Sequence, residues 1–164
     1  MRLFHGFEHT AFRLEVRTSY APPYERESFE RFLAGEPYEL TWMREWLSLV
    51  REATSGGRRF ARVRVVDVPL SDYNRWSHEV ARHNIDAGED IRYLRRDRAC
   101  EAGLPDHDYW LFDSRTLLRM RFDESDKFVG GEVMQDAAQI VRHAYWRDAA
   151  WHHAVRRDDF AVEE

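Results

Sequence analysis

Residues 59–68 read Arg-Phe-Ala-Arg-Val-Arg-Val-Val-Asp-Val, the clearest β-strand in the chain. β-Branched residues dominate this segment, and Pro69 ends it because proline cannot donate to a sheet ladder. Arg62 and Arg64 alternate with apolar residues. This period of two predicts that both arginines lie on an outer, solvated strand face.

A helix and a second strand follow this segment directly. Residues 71–87 have helical periodicity and end at Gly88, a residue suited to the position after a helix. The next strand covers 90–95. The passage 60–95 therefore has the length of a βαβ unit, which predicts two parallel strands joined by a crossover helix.

The remaining elements extend outward from this unit on both sides. The predicted strands are 10–16, 108–113, 116–122 and 128–134, and the predicted helices are 25–34, 41–53 and 136–156. The segment 108–122 reads as an antiparallel hairpin. Together they predict a single α/β domain over 1–164, with α+β as the alternative class. Its mixed sheet of five to six strands is flanked by helices, and its tail 158–164 is frayed.

Charge and composition exclude several classes of protein. The chain has 25 basic and 30 acidic residues among 164, and its pI is near 5.9. This balance does not favour direct nucleic-acid binding, which usually requires a basic stripe. No apolar run approaches the ~20 residues of a membrane span. A single cysteine, Cys100, in a loop-like stretch excludes a disulfide framework, and we expect a cytoplasmic protein.

Metal and cofactor motifs are not found. His78 and His83 are five residues apart on a predicted helix, which separates their rings by about 140°. The adjacent His152 and His153 also diverge. No glycine-rich phosphate loop or nucleophile motif occurs. We therefore predict no metal, no cofactor and no catalytic residue.

One polar pair and one aromatic set are the candidate functional groups. Arg13 and Glu15 project from the same face of a strand whose other face is apolar. If a helix covers that face, they form a partly buried pair that needs further partners, or they bind a ligand. The aromatic set brackets the parallel strands and forms either a pocket wall or core; its members are Tyr73, Trp76, Tyr93, Tyr109 and Trp110. We expect burial of Phe12, Trp42, Trp46, Val65 and Leu111.

Several sequence segments together resemble those of an actinobacterial family of uncharacterised proteins. They are Thr-Ala-Phe-Arg-Leu-Glu (10–15), Phe-Leu-Ala-Gly (32–35), Arg-Val-Arg-Val-Val-Asp-Val-Pro-Leu-Ser-Asp-Tyr (62–73), Ala-Gly-Glu-Asp-Ile-Arg-Tyr-Leu (87–94) and Leu-Pro-x-x-Asp-Tyr-Trp-Leu-Phe-Asp (104–113). Members are often encoded beside small helix-turn-helix regulators. The resemblance thus implies an accessory role in transcriptional control, with a helix-turn-helix protein as partner.

The element order is also similar to half of a phospholipase D-like domain. Those enzymes carry His-x-Lys-x4-Asp in the corresponding segment. Here Tyr109 follows His107 in place of the lysine, and Asp113 lies one residue before the position of the aspartate in that motif. Without the lysine a phosphate loses its charged partner. The resemblance implies the fold without the activity, and no phosphodiester hydrolysis is expected.

Two hypotheses of different class follow. The first is a non-enzymatic regulatory or ligand-sensing protein that acts with a helix-turn-helix regulator, with a homodimer as a possible assembly. The second is an enzyme or binding protein for a phosphate-bearing small molecule or nucleotide, in a pocket near Arg92, Asp108 and Asp113. Convergence of those three side chains would favour the second. The candidate binding residues are Arg13, Glu15, Tyr73, Trp76, Arg92, Asp108, Trp110 and Asp113.

Overall fold

A seven-stranded mixed β-sheet runs through the protein, whose computed structural model describes residues 2–161. The strands are β1 (Thr10–Glu15), β2 (Arg59–Val66), β3 (Asp90–Arg95), β4 (Tyr109–Phe112), β5 (Thr116–Phe122), β6 (Phe128–Met134) and β7 (Val155–Arg156). Helices pack on both faces of this sheet. The predicted α/β class is confirmed.

The sheet order is β6-β5-β4-β1-β2-β3-β7. β2 is parallel to both β1 and β3, while every other pairing is antiparallel. The predicted βαβ unit and the predicted hairpin are therefore both confirmed. The sequence predicts five to six strands. The seventh, β7, lies where we expected the end of the last helix, because Ala154 is extended and ends that helix early.

Six α-helices of the described part of the chain connect and cover the strands. They are α1 (Arg2–Gly6), α2 (Arg26–Leu33), α3 (Arg44–Ser55), α4 (Asp72–Asp86), α5 (Arg96–Glu101) and α6 (Ala137–His153), with short 3-10 helices at Pro23–Glu25, Thr41–Met43 and Arg157–Asp159. Ser71 caps α4 and Asp136 caps α6, each accepting from a backbone N–H three residues on. Within residues 2–161, no helix is long and apolar enough to cross a membrane.

The two faces of the sheet are covered by different helices. One face carries Leu14, Val63 and Leu111 in a continuous apolar cluster beneath α5 and α6. Phe12 and Val65 belong to the same cluster and are buried as predicted. The other face packs against α1, α3 and α4, and its apolar residues divide into three separate clusters. We call these the α5/α6 face and the α3/α4 face.

The predicted solvated position of Arg62 and Arg64 is wrong. Arg62 is only 8% exposed, and Arg64 is nearly as enclosed, because α4 and the neighbouring strands cover both. Trp42 and Trp46 are half-buried on the α3/α4 face rather than fully buried. Cys100 lies exposed in α5, where a loop was predicted.

The C-terminal segment that we expected to fray forms structure through Phe160. Its ring centroid lies 5.4 Å from that of Tyr93 in β3, and the 3-10 helix Arg157–Asp159 precedes it. Residues 162–164 of that segment lie outside the described residues.

Candidate functional site

A cavity of about 440 Å³ lies between the sheet and the helices on the α3/α4 face. Small-molecule sites in proteins commonly occupy about 300–1,000 Å³, so this volume suits a ligand of metabolite size. β1 and β2 supply its floor, while β4, β5, α3, α4 and the 3-10 helix Pro23–Glu25 supply its walls.

Glu15 is the centre of the floor. Its Oε1 lies 2.7 Å from Nη1 of Arg62 and 3.2 Å from Nε of Arg13, and its Oε2 lies 2.7 Å from Nε of Arg64. The parallel register places Arg13 opposite Arg62 and Glu15 opposite Arg64, so all four side chains share one sheet face. One carboxylate thus joins three guanidinium groups.

Two further carboxylates complete the charge balance below the floor. Asp108 Oδ2 lies 3.2 Å from Nη2 of Arg13 and accepts a hydrogen bond from the Tyr20 hydroxyl at 2.6 Å. Glu89 Oε1 lies 2.7 Å from Nε of Arg62. Three arginines therefore face three carboxylates, and the network carries no net charge.

Electrostatics keep the central pair ionised. Burial alone would raise the pKa of Glu15, but the guanidiniums of Arg62, Arg64 and Arg13 outweigh it and hold that pKa far below its usual range. Burial also opposes the charge of Arg13, yet Glu15 and Asp108 raise its pKa above the ordinary arginine value. Arg13 and Glu15 therefore remain charged at physiological pH.

Ten aromatic side chains line the cavity. Trp110 from β4 lies over the floor, with its ring centroid 5.5 Å from Cζ of Arg13 and 5.7 Å from Cζ of Arg62. Both distances are within the range of cation–π contact. The other rings that line the cavity are Phe4, Tyr20, Tyr24, Trp42, Trp46, Tyr73, Trp76, Phe122 and Phe128.

Two buried donors on the wall have no acceptor among the described residues. They are the indole N–H of Trp76 and the side-chain NH₂ of Asn74, both on α4. Nε of Arg13 is also without a well-directed hydrogen bond, although Glu15 is near it. An unsatisfied buried donor costs about 1–3 kcal/mol, so these groups are suited to meeting an acceptor on a bound molecule.

Glu25 differs from the other carboxylates of the cavity. Its Oε2 accepts a hydrogen bond from the Tyr73 hydroxyl at 2.7 Å. Burial raises its pKa to about 7, and the Tyr73 hydrogen bond and the charge of Arg64 only partly offset that effect. Glu25 therefore exchanges a proton near neutral pH.

The structure brings together most of the candidate residues from the sequence. Arg13, Glu15, Tyr73, Trp76 and Trp110 all line the cavity, and Asp108 lies beneath it. The partly buried Arg13–Glu15 pair has the further partners that its position required.

Arg92 and Asp113 lie elsewhere. Arg92 is on the α5/α6 face, where its Cζ lies 3.8 Å from the ring centroid of Trp151. Asp113 is in the β4–β5 turn, and its carboxylate accepts hydrogen bonds from the backbone N–H groups of residues 8, 9 and 10. Since Asp108 is buried in the floor network, the three side chains do not converge, and the phosphate pocket that we considered does not form.

Sequence reasoning missed several residues of the cavity, namely Tyr20, Tyr24, Glu25, Trp42, Trp46, Arg62, Arg64 and Asn74. A signal for the two arginines was present. A strand between two parallel neighbours with a crossover helix is covered on both faces, so alternating arginines there must be buried and paired. No comparable pattern marks Glu25, whose position depends on the fold of the 3-10 helix Pro23–Glu25.

The fold and the cavity define an α/β protein with a cavity lined by aromatic and charged side chains. The chain belongs to the family described as a domain of unknown function (DUF6879), whose model matches residues 1–162. The expectation of an uncharacterised family is thereby confirmed. No curated protein matches the sequence.

Proposed function

We propose that this protein binds a small organic molecule in the cavity and serves as a ligand-sensing module. One observation carries the proposal: Trp76 and Asn74 line the cavity, and their buried side-chain N–H groups have no acceptor within residues 2–161. In folded proteins about nine in ten or more buried polar groups have a partner, so a pair of free donors at one cavity wall favours a ligand that accepts from them.

The charged floor argues against an anionic ligand. Each guanidinium of Arg13, Arg62 and Arg64 is paired with at least one carboxylate at 3.2 Å or less. A phosphate would have to displace Glu15 or approach it closely, and like charges at that distance repel strongly. The aromatic walls instead suit the planar or apolar body of a ligand that presents a carbonyl or similar acceptor to α4.

The six tryptophans of the chain provide the test. Trp42, Trp46, Trp76 and Trp110 line the cavity, whereas Trp146 and Trp151 are on α6 against the other face. Titration of ¹⁵N-labelled protein with indole-3-acetamide, a planar ring with an amide carbonyl, should shift the four cavity indole N–H signals saturably. The two α6 signals are the internal control and should stay in place.

A conservative variant sharpens this experiment. Trp76→Phe keeps an aromatic ring but removes the N–H donor, so we expect the affinity for indole-3-acetamide to fall about tenfold. Trp151→Phe is the matched control and should bind like the wild type. Equal shifts at Trp146 and Trp151, or absence of a saturable shift at the cavity indoles with indole-3-acetamide, tryptamine and tryptophol alike, would overturn the proposal.

The regulatory part of the proposal is supported by the resemblance to proteins encoded beside helix-turn-helix regulators. In this view the partner is such a regulator, and ligand occupancy changes the affinity of the two proteins for each other. Co-purification of the tagged protein with a helix-turn-helix regulator from the same cells tests the partner. The same experiment with Trp76→Phe and added indole-3-acetamide tests whether the cavity controls the contact.

A further inference from the structure

Among the described residues, Glu25 is the one charged side chain of the cavity without an ion-pair partner. Seven charged side chains line it, and six of them form ion pairs with described residues: Arg13, Glu15, Arg17, Arg62, Arg64 and Asp126. The Glu25 carboxylate forms no ion pair within residues 2–161, and its hydrogen bond comes from the neutral Tyr73 hydroxyl. With the floor balanced by Asp108 and Glu89, this part of the cavity has an excess of negative charge.

Aromatic rings continue from this carboxylate along the wall. The Trp76 ring centroid is 5.6 Å from that of Tyr73, which holds Glu25, and 6.2 Å from that of Trp42. The Trp42 centroid is in turn 5.3 Å from that of Tyr24. A carboxylate beside four connected rings combines the two features that attract organic cations in proteins, a counter-charge and the negative faces of π-systems.

We propose that the ligand carries an ammonium group that pairs with Glu25 beside these rings. This inference rests on the proposed function and names the ligand class of the same cavity. A partly desolvated carboxylate without a cation is costly, and an ammonium ion removes that cost. The arginines of the floor do not repel such a ligand strongly, because Glu15, Glu89 and Asp108 neutralise them.

Binding of an ammonium group is then linked to pH. The charged and titratable groups around Glu25 are Tyr24 beside it in the chain, Tyr73 from α4, Glu15 from β1, and Arg62 and Arg64 from β2. Burial and the Glu25 carboxylate raise the pKa of both tyrosines above the usual value, and the arginines hold the pKa of Glu15 far below its usual range. The pKa of Glu25 is raised to about 7 by burial. Since only the ionised carboxylate pairs with a cation, affinity should rise about tenfold between pH 6 and pH 8.

Tryptamine and tryptophol are matched probes, because they share an indole ethyl body and differ in carrying an ammonium or a hydroxyl group. We expect calorimetry at pH 8 to show at least tenfold tighter binding of tryptamine. At pH 6 that preference should shrink about tenfold, while tryptophol affinity should change little. Glu25→Gln should abolish both the preference and its pH dependence. Glu27→Gln, an exposed change on α2, is the control and should retain them.

The outcomes separate this inference from the proposed function. Equal affinities for tryptamine and tryptophol at pH 8, or an unchanged preference in Glu25→Gln, would overturn the ammonium assignment while leaving ligand binding intact. Failure of tryptamine, tryptophol and indole-3-acetamide alike would overturn both. The pH comparison uses only the wild-type protein, so it remains decisive if Glu25→Gln does not fold.

Discussion

The two faces of the sheet are formed by the same strands, but one is apolar and the other carries charged side chains. Along β1, Leu14 points into the apolar cluster under α5 and α6, while its neighbours Arg13 and Glu15 point into the charged floor. β2 repeats this alternation with Val63 between Arg62 and Arg64. The period of two thus places an apolar core and a polar chamber a single sheet apart.

This division has an energetic reason. Full burial of a Leu or Val side chain contributes about 1.5–3 kcal/mol, and the α5/α6 face gains many such contributions. A buried ion pair contributes little net stability, since desolvation offsets most of its attraction. The α5/α6 face therefore stabilises the fold, and the α3/α4 face can hold fixed charges, free donors and an open volume.

The largest effect should come from Glu15 at the centre of the floor. Glu15→Gln leaves the guanidiniums of Arg13, Arg62 and Arg64 without their shared carboxylate, which should destabilise the fold by about 3–5 kcal/mol. Urea unfolding measures this change. Glu27→Gln breaks only an exposed pair on α2 and should cost less than about 1 kcal/mol. A loss at Glu15 as small as this control would show that the floor network does not hold the α3/α4 face.

The fold was largely predictable because the hydrophobic periodicity of a segment indicates whether it is a helix or a strand and which of its faces is buried. Both the βαβ unit and the hairpin follow from residues 59–122 alone. The strand β7 was not predictable, since two residues carry no period. Its existence depends on where α6 ends and on pairing with β3.

The cavity was only partly predictable. Arg13 and Glu15 were identifiable because they share a strand face. Periodicity alone does not distinguish a buried arginine from an exposed one, and Arg62 is marked as buried only by the position of β2 between two parallel strands. Periodicity also does not distinguish a tryptophan in the core from one that lines a cavity, as Trp42 and Trp46 show. Those differences depend on long-range carboxylates such as Glu89 and on the space left between helices.

The second prediction concerns pH and the α3/α4 face. The pKa of Glu25 is raised from 4.5 to about 7, mainly by burial, so between these values the folded chain holds a proton that the unfolded chain releases. Stability from this group is present at low pH and falls by roughly 2–3 kcal/mol as pH rises from 4 to 8. Glu25→Gln should lack that fall. The effect is measured as the difference between the unfolding free energies of the wild type and the variant from pH 4 to pH 8. A difference that does not change with pH would show that Glu25 does not titrate in this range.

The α5/α6 face should respond to pH in the opposite direction. His107 Nε2 lies 3.0 Å from Nε2 of His143, whose Nδ1 is 2.7 Å from the Gln139 carbonyl. Burial, with the charge of Arg119, lowers the pKa of His107 from 6.5 to about 4. The unfolded chain therefore binds more protons in that window, and stability is lost as pH falls through it. We expect His107→Gln to reduce this loss by about 1–2 kcal/mol, allowing for partial solvation. Parallel acid unfolding curves for variant and wild type would contradict this.

The smallest effect should come from Arg92, the α5/α6-face counterpart of Arg62. Both arginines are on adjacent parallel strands, but Arg92 lies against Trp151 and has a weak pair with Asp90. Its guanidinium has one partly exposed ring contact, worth about 0.5–1 kcal/mol. Arg92→Met should therefore cost no more than about 1 kcal/mol in urea unfolding and should leave indole-3-acetamide binding unchanged, because the sheet separates it from the cavity. Arg62→Met removes the ion-pair partner of the buried Glu89 carboxylate, so this variant should lower the free energy of unfolding by about 3–5 kcal/mol. Equal losses for the two variants would mean that the faces do not differ in the way their side chains indicate.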